Sequence, residues 1–282
     1  MSAPHAAVGP ETGSGSSDSA DFRARTAIVT GAARGIGAAT VRRLATAGWQ
    51  VVAVDRCRDD PRVEYPLGTR AQLAAVAAEY PGCVLDVVAD VQDLDALRAA
   101  VAVAQDRFGG LDAAVAAASV ISGGKPLWET APCEWDALFS VGVHGVANLA
   151  RAAVPALLAR PAPRTGRFVA IASSAAHQGL WQLSGYNAAK HAVVGTIRGL
   201  AHDLRGTGVC ATAVSPGSTR TDMLTASAAL YDLDSVEEFA AHQLSERLLE
   251  ADEVAAVISW LCTPESGAIT GTVVHADAGF TA

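Results

Sequence analysis

The sequence predicts a doubly wound α/β fold, in which helices cover both faces of one parallel sheet. Short apolar runs rich in Val, Ile and Ala alternate with longer helical stretches. Continuous apolar strands are typical of sheets buried on both faces, and connections of a dozen or more residues favour parallel neighbours. We therefore expect a three-layer sandwich whose seven strands comprise residues 26–30, 51–55, 84–90, 111–119, 167–173, 209–215 and 272–277.

Length and composition favour a single domain with a large core. The chain has 282 residues, of which 50% are hydrophobic and 18% are charged. The net charge of −8 disfavours binding to nucleic acid or to an anionic membrane, because both reward clustered Lys and Arg. A small-molecule substrate is the better expectation.

The N-terminal residues differ from the rest of the chain in composition. Residues 1–22 are rich in Gly, Ser and Pro and lack hydrophobic periodicity, so we predict a disordered tail before a domain at 23–282. They lack the pattern of a secretion signal, and no stretch reaches 18 uninterrupted apolar residues. The five cysteines form no Cys-x-x-Cys pair and the histidines have no metal-ligand spacing, which predicts a cytoplasmic protein without a metal site.

A glycine-rich loop follows the first predicted strand. It reads Gly-Ala-Ala-Arg-Gly-Ile-Gly and opens a helix predicted over 36–47. Glycines allow backbone N–H groups to approach a pyrophosphate, whose charge the helix N-terminus favours. A plain βα turn is the alternative. The candidate cofactor residues in the loop are Gly31, Arg34, Gly35, Ile36 and Gly37.

An acidic residue stands at the end of each of the next two predicted strands. Asp55 ends the second strand, where a carboxylate accepts hydrogen bonds from the adenosine ribose. It would repel a 2′-phosphate by about 4 kcal/mol at 4 Å, which favours NAD over NADP. Arg34 and Arg56 can offset part of that repulsion, so NADP stays a less favoured possibility. Asp90, followed by Val91, is placed either to meet the adenine or to cap the next helix.

Three residues with the spacing Ser-x12-Tyr-x3-Lys carry the predicted chemistry: Ser173, Tyr186 and Lys190. The Tyr and Lys lie one turn apart on a helix predicted over 184–205. An ammonium and a cationic nicotinamide both favour the phenolate, which makes Tyr186 a usable general base for an alcohol. The Ser173 hydroxyl would hold the substrate oxygen.

Further cofactor contacts are expected at two other strand ends. Backbone and hydroxyl groups after the sixth strand are candidates for the carboxamide and the phosphates, and the backbone after the fourth strand adds one more contact. These candidates are Pro216, Gly217, Thr219, Thr221 and Ala117.

Over residues 25–280 the chain resembles the short-chain dehydrogenase/reductase family. The resemblance implies a Rossmann-like fold, NAD(P)-dependent interconversion of alcohols with ketones or aldehydes, and a catalytic Ser-Tyr-Lys set at Ser173, Tyr186 and Lys190. It also implies a homotetramer or homodimer.

The sequence departs from the family pattern at two places. Ala116–Ser119 replaces the usual Asn-Asn-Ala-Gly, and Gly142 replaces an Asn of the proton relay. In the family the main-chain carbonyl at this second position holds a relay water, and glycine keeps that carbonyl while permitting a helix kink. The departures leave a non-catalytic dinucleotide-binding sensor as an alternative to an enzyme.

A polar insertion at 56–70 lengthens the connection between Asp55 and Asp90. It resembles the insertion of the mycofactocin-associated branch of the family, which covers a tightly held NAD while electrons pass to a peptide-derived redox partner. We expect the insertion to lie near the adenine end and to cap the cofactor. A surface loop without a role is the alternative.

The predicted substrate pocket is closed by a lid at 222–248 and by neighbouring loops. Its expected lining is apolar, which favours a hydrophobic alcohol or ketone, although the same residues suit ordinary lid packing. The expected lining residues are Ile121, Trp128, Trp181, Met223, Leu224 and Tyr231. The leading prediction is an NAD-dependent alcohol dehydrogenase, with an NADP-dependent carbonyl reductase as the main alternative.

Overall fold

Seven parallel strands form one sheet in the computed structural model, which describes residues 24–282. The predicted tail at 1–22 lies outside the described residues. The strands are β1 (Thr26–Thr30), β2 (Gln50–Asp55), β3 (Val84–Val88), β4 (Ala113–Ala116), β5 (Arg167–Ile171), β6 (Cys210–Pro216) and β9 (Val273–Ala276), in the spatial order β3-β2-β1-β4-β5-β6-β9. The predicted seven-stranded, Rossmann-like sheet is confirmed.

Eight α-helices are found in the described part of the chain. They are α1 (Gly35–Thr46), α2 (Arg70–Ala78), α3 (Leu94–Phe108), α4 (Pro132–Phe139), α5 (Gly145–Leu158), α6 (Ser184–Asp203), α7 (Asp222–Leu230) and α8 (Ala251–Leu261). Buried residues of α1, α2 and α8 pack on one face of the sheet, while those of α3, α5 and α6 pack on the other. The result is the three-layer sandwich predicted from the sequence.

Two parts of the fold differ from the sequence prediction. Strand β4 ends at Ala116, because the residues predicted to extend it to 119 leave the sheet and line a cleft. A second sheet pairs β7 (Thr219–Arg220) with β8 (Leu249–Glu250). Strands of two residues are too short to show a hydrophobic period, so the sequence does not predict them.

A π-helical segment, Ser140–His144, joins α4 to α5. The whole stretch Pro132–Leu158 is long and apolar enough to span a membrane by length and composition. Its most apolar window is 56% buried inside the protein, as expected of a core helix. Burial against the sheet and α3 therefore accounts for its composition.

The chain reverses its winding direction between β1 and β4. From β1 the chain first builds outward through β2 and β3, and then returns to place β4 on the other side of β1. In doubly wound sheets, the crevice for a ligand opens at this switch point beyond the carboxyl ends of the strands.

Replacement of Phe168 by Ala tests the packing of the central sheet. Phe168 on β5 is fully buried, so Phe168→Ala should lower the free energy of unfolding by about 3–5 kcal/mol. The control is Val88→Ala at the end of edge strand β3, where the side chain is 52% exposed and the expected change is within about 0.5 kcal/mol. Urea denaturation measures both, and equal losses would contradict the described core.

Candidate active site

A cleft of about 770 Å³ opens at the carboxyl ends of the strands. All of the residues predicted to bind cofactor or to act in catalysis lie along it. They are Gly31, Arg34, Gly35, Ile36, Gly37, Asp55, Asp90, Val91, Ala117, Ser173, Tyr186, Lys190, Pro216, Gly217, Thr219 and Thr221. The fold thus gathers groups from distant parts of the sequence around one space.

The glycine loop makes a tight turn between β1 and α1. Gly31 has a φ of 66°, in the left-handed region that favours glycine. A Cβ on Gly37 would lie 2.1 Å from the Gly31 carbonyl oxygen, so a side chain there is excluded. This close packing leaves the first turn of α1 facing the cleft, where its N–H groups suit an anion.

Asp55 is held in a fixed orientation at the end of β2. Its Oδ2 accepts a hydrogen bond from the Ala33 amide at 3.1 Å, and its Oδ1 accepts one from the Cys57 amide at 3.0 Å. Gly68 of the insertion packs against it, because a Cβ on Gly68 would lie 3.2 Å from Asp55 Oδ1. The carboxylate keeps acceptor capacity for ribose hydroxyls.

Asp90 lies beside the arginines of the insertion and does not cap the next helix. Its Oδ1 accepts from the Gln92 amide at 3.0 Å, and its Oδ2 pairs with Arg58 at 3.2 Å. The cap of α3 is Asp93, which accepts from two backbone amides of the first turn. The capping alternative for Asp90 is therefore wrong.

The three predicted catalytic residues meet where β5 faces α6. Ser173 follows β5, while Tyr186 and Lys190 lie one turn apart on α6. The Ser173 hydroxyl forms a hydrogen bond with the Tyr186 hydroxyl. Lys190 is 3% exposed, and its Nζ donates to the Ile171 carbonyl at 3.0 Å and lies 5.6 Å from the Tyr186 ring centre.

Burial dominates the electrostatics of this group. Burial raises the pKa of Tyr186 to about 12, although the hydrogen bond from Ser173 opposes the shift. Burial lowers the pKa of Lys190 to about 8. The phenolate expected from the sequence therefore needs positive charge that a bound cofactor brings.

The donors and acceptors of the cleft fit a nicotinamide dinucleotide. An ammonium carries three protons, and the protein acceptor that the structure gives Lys190 is the Ile171 carbonyl. Further protons remain for the hydroxyls of a ribose. Together with the glycine loop and Asp55, Lys190 marks sites for a pyrophosphate and two sugars along one cleft.

Comparison with known proteins agrees with this geometry. Residues 31–281 match a family profile described as enoyl-(acyl carrier protein) reductase, a branch of the short-chain dehydrogenases. The chain belongs to the short-chain dehydrogenase/reductase family. As a member of this oxidoreductase family it binds a nicotinamide dinucleotide.

Individual relatives of the family cover nearly the whole chain. The (−)-trans-carveol dehydrogenase of Rhodococcus erythropolis is 32% identical over 90% of this chain and 96% of its own. The cis-4-hydroxycyclohexanecarboxylate dehydrogenase of Sinomonas cyclohexanicum is 32% identical over 93% of this chain and 98% of its own. The structure of a Mycobacterium avium carveol dehydrogenase in complex with NAD superposes with a TM-score of 0.86, at 27% identity, over 92% of this chain and 98% of that one.

The family's relay position, Gly142, lies in the middle of the π-helical segment. A π-helix shifts the register of backbone hydrogen bonds, so this is the helix irregularity expected at a family kink. A Cβ on Gly142 would have the Ser119 hydroxyl oxygen, 3.9 Å away, as its nearest neighbour. A Cβ at this position therefore meets only ordinary van der Waals contact.

The substrate end of the cleft has an aromatic wall. Neighbouring rings follow one another with centroid distances of 6.0, 6.2, 6.2 and 5.8 Å. The rings are those of Trp181, Tyr231, Phe239, His242 and Phe280. They present a broad apolar surface on the side of the lid.

Most of the predicted pocket lining is present. Ile121, Trp181, Met223, Leu224 and Tyr231 line the cleft. The prediction for Trp128 is wrong, because this residue lies on a short 3-10 helix with its side chain 84% exposed to solvent.

Several lining residues have no counterpart in the sequence prediction. They are Tyr65, Leu233, Phe239, His242 and Phe280. Phe239 and His242 lie on the 3-10 helix Val236–His242, and the other three lie outside helices and strands, so no α-helical or strand period indicates which of these side chains face inward.

The glycine loop can be tested with two helical glycines. Gly37→Ala should abolish dinucleotide binding, because its methyl group would collide with the Gly31 carbonyl and displace the loop. Gly195→Ala on α6 is the matched control, since no atom lies within 4 Å of the added Cβ, and it should bind as the unmodified protein does. Fluorescence titration with the reduced dinucleotide measures both, and normal binding by Gly37→Ala would contradict the assignment.

Proposed function

We propose that this protein is an NAD-dependent dehydrogenase that interconverts a hydrophobic cyclic alcohol and its ketone. The observation that carries the proposal is the meeting of Ser173, Tyr186 and Lys190 at the cleft that also contains Asp55. A binding sensor would need the cofactor residues alone. Retention of the complete proton-transfer set favours catalysis over sensing.

Each catalytic side chain has a separate task. Bound oxidised NAD supplies the acceptor for the hydride from the carbinol carbon. Ser173 donates a hydrogen bond to the substrate oxygen and holds it beside Tyr186. Tyr186, as its phenolate, would take the hydroxyl proton as general base and become a neutral phenol. The Lys190 ammonium, which donates to the Ile171 carbonyl, would stabilise the phenolate before this transfer and would bind the ribose of the cofactor.

The electrostatics near Asp55 support NAD rather than NADP. The two arginines that could neutralise a 2′-phosphate already have acidic partners. Arg34 pairs with Asp222 at 2.8 Å, and Arg56 pairs with Asp60 at 2.8 Å. A phosphate beside Asp55 would therefore meet uncompensated negative charge.

The insertion supports tight retention of the cofactor. Its buried carboxylate, Asp60, is 3% exposed and accepts hydrogen bonds from Arg56 at 2.8 Å and from Arg62 at 2.7 Å. Hydrogen bonding to Arg62 is the largest contribution that keeps the pKa of Asp60 well below its ordinary value. A rigid loop anchored in this way would slow the exit of a dinucleotide from beneath it.

A retained cofactor needs an external electron acceptor. We propose that NADH is reoxidised in place by a mycofactocin-type redox partner, because a covered cofactor cannot exchange with each turnover. The insertion, which contributes Arg56, Tyr65, Leu67 and Gly68 to the lining of the cleft, supports this assignment.

The aromatic wall supports an alicyclic substrate. A row of aromatic rings favours an apolar hydrocarbon skeleton, whose burial contributes about 25 cal/mol per Å² of apolar area. The names of two relatives refer to alcohols on six-membered rings. A cyclohexanol bearing small alkyl substituents is the first substrate to test.

Tyr186→Phe tests the assignment of the general base. Oxidation of the cyclic alcohol should fall by about 10²–10⁴-fold, because the ring remains but cannot accept a proton. In the unmodified enzyme, oxidation should rise with pH, since a base works only when deprotonated and the pKa of Tyr186 is raised by burial. Initial rates of NADH formation across pH measure both effects, and a variant as active as wild type would exclude this mechanism.

Asp60→Asn tests retention of the cofactor. The substitution removes the negative charge that holds Arg56 and Arg62, so the insertion should loosen and NAD should dissociate faster. Asp95→Asn is the control, because Asp95 pairs with Arg98 on the exposed surface of α3. Native mass spectrometry after extended buffer exchange measures the bound dinucleotide. Wild-type protein that carries no dinucleotide after buffer exchange, or that carries NADP, would contradict the proposal.

A further inference from the structure

The insertion reaches beyond the adenine end and contributes a tyrosine to the catalytic end of the cleft. The Tyr65 hydroxyl accepts a hydrogen bond from the Ile121 amide at 3.1 Å. Both residues line the cleft that contains Tyr186. Tyr65 also acts to raise the pKa of Tyr186, after burial and against the hydrogen bond from Ser173.

Arg34 packs against the face of the Tyr65 ring and helps to fix its position. The guanidinium carbon of Arg34 lies 5.9 Å from the ring centre, a distance typical of a cation–π contact. Arg34 itself donates to the Pro66 carbonyl at 2.7 Å and pairs with Asp222 at the start of the lid helix α7. Contacts with the insertion, the glycine loop and the lid therefore jointly fix the position of the Tyr65 ring.

The segment that Tyr65 contacts is a wall of the substrate pocket. Val120 and Ile121 are 3% and 6% exposed and follow β4 without belonging to a helix or strand. Such a segment depends on side chains for the hydrogen bonds that fix its backbone. Its amides must therefore be satisfied by neighbouring elements.

The π-helix packed beside this wall offers no side chain for the task. A Cβ on Gly142 would point toward Ser119, whose hydroxyl oxygen is its nearest neighbour at 3.9 Å. A side chain at 142 would thus begin beside Ser119, the residue that precedes Val120 and Ile121. In this chain the position is a glycine, and the hydrogen bond to the wall comes from the insertion instead.

We infer that Tyr65 is a positioning residue for the reaction: its hydroxyl holds the Ile121 wall of the substrate pocket beside Tyr186, where the side chain of residue 142 is missing. The inference rests on the proposed function for its kinetic consequence. Its structural consequence, the anchoring of the Ile121 amide, is independent of the substrate. It gives the insertion a role in substrate placement as well as in cofactor retention.

Tyr65→Phe removes the hydroxyl and keeps the ring over Arg34. Hydrogen exchange at the amides of 119–123 should become faster, and kcat/KM for the cyclic alcohol should fall about tenfold, as expected for a lost buried hydrogen bond. Retained NAD should be unchanged, because the ring and the anchors of the insertion remain. Tyr80→Phe, which removes a hydroxyl that contacts Thr46 on the protein surface, is the matched control and should change neither quantity.

Rescue from position 142 separates positioning from general loss of stability. In the Tyr65→Phe background, Gly142→Asn should slow the exchange again and restore kcat/KM, whereas Gly142→Ala should restore neither. Equal rescue by Ala would overturn the inference, because filled space rather than a hydrogen bond would then be sufficient.

Unchanged exchange at 119–123 in Tyr65→Phe would also overturn the inference, as would a fall in kcat/KM explained entirely by lost NAD. A wild-type protein that oxidises no alcohol would instead contradict the proposed function, and the exchange measurements would still decide the role of Tyr65.

Discussion

The common direction of the seven strands is the constraint on which the rest of the structure depends. Because all the strands are parallel, their carboxyl ends meet at one edge of the sheet. Asp55 ends β2, Ser173 follows β5, and Pro216 ends β6, so groups far apart in sequence share one cleft. The reversal of winding between β1 and β4 opens that cleft at the glycine loop.

The reactivity of the site resides in two buried groups, Tyr186 and Lys190, whose charged forms are disfavoured by burial. Burial opposes both the phenolate of Tyr186 and the ammonium of Lys190, shifting their pKa values in opposite directions. Positive charge brought by an oxidised cofactor favours the phenolate, and ribose hydroxyls provide acceptors for the lysine. The chemistry is therefore coupled to occupation of the cleft, which suits an enzyme whose cofactor remains bound.

Local sequence patterns predicted most of the fold, and they named three candidate catalytic residues that the fold brings to one cleft. Each main strand is an apolar run, and Ser173, Tyr186 and Lys190 lie on regular elements with fixed spacing. The sequence could not predict that Tyr65 reaches Ile121, since this contact depends on the path of an irregular loop. For the same reason Trp128 was wrongly assigned to the pocket, because the orientation of a short 3-10 turn decides its exposure.

The insertion has two anchors: Asp60 pairs with Arg62 inside it, and the Tyr65 hydroxyl accepts a hydrogen bond from the Ile121 amide. The proposed function depends on hydride transfer to a dinucleotide held in this cleft. A single-turnover experiment with a cyclic alcohol deuterated at the carbinol carbon tests it most directly, without an external electron acceptor. Up to one equivalent of bound NADH per subunit should form, and it should form more slowly from the deuterated alcohol than from the unlabelled alcohol. No NADH formation from any cyclic alcohol, with NAD demonstrably bound, would contradict it.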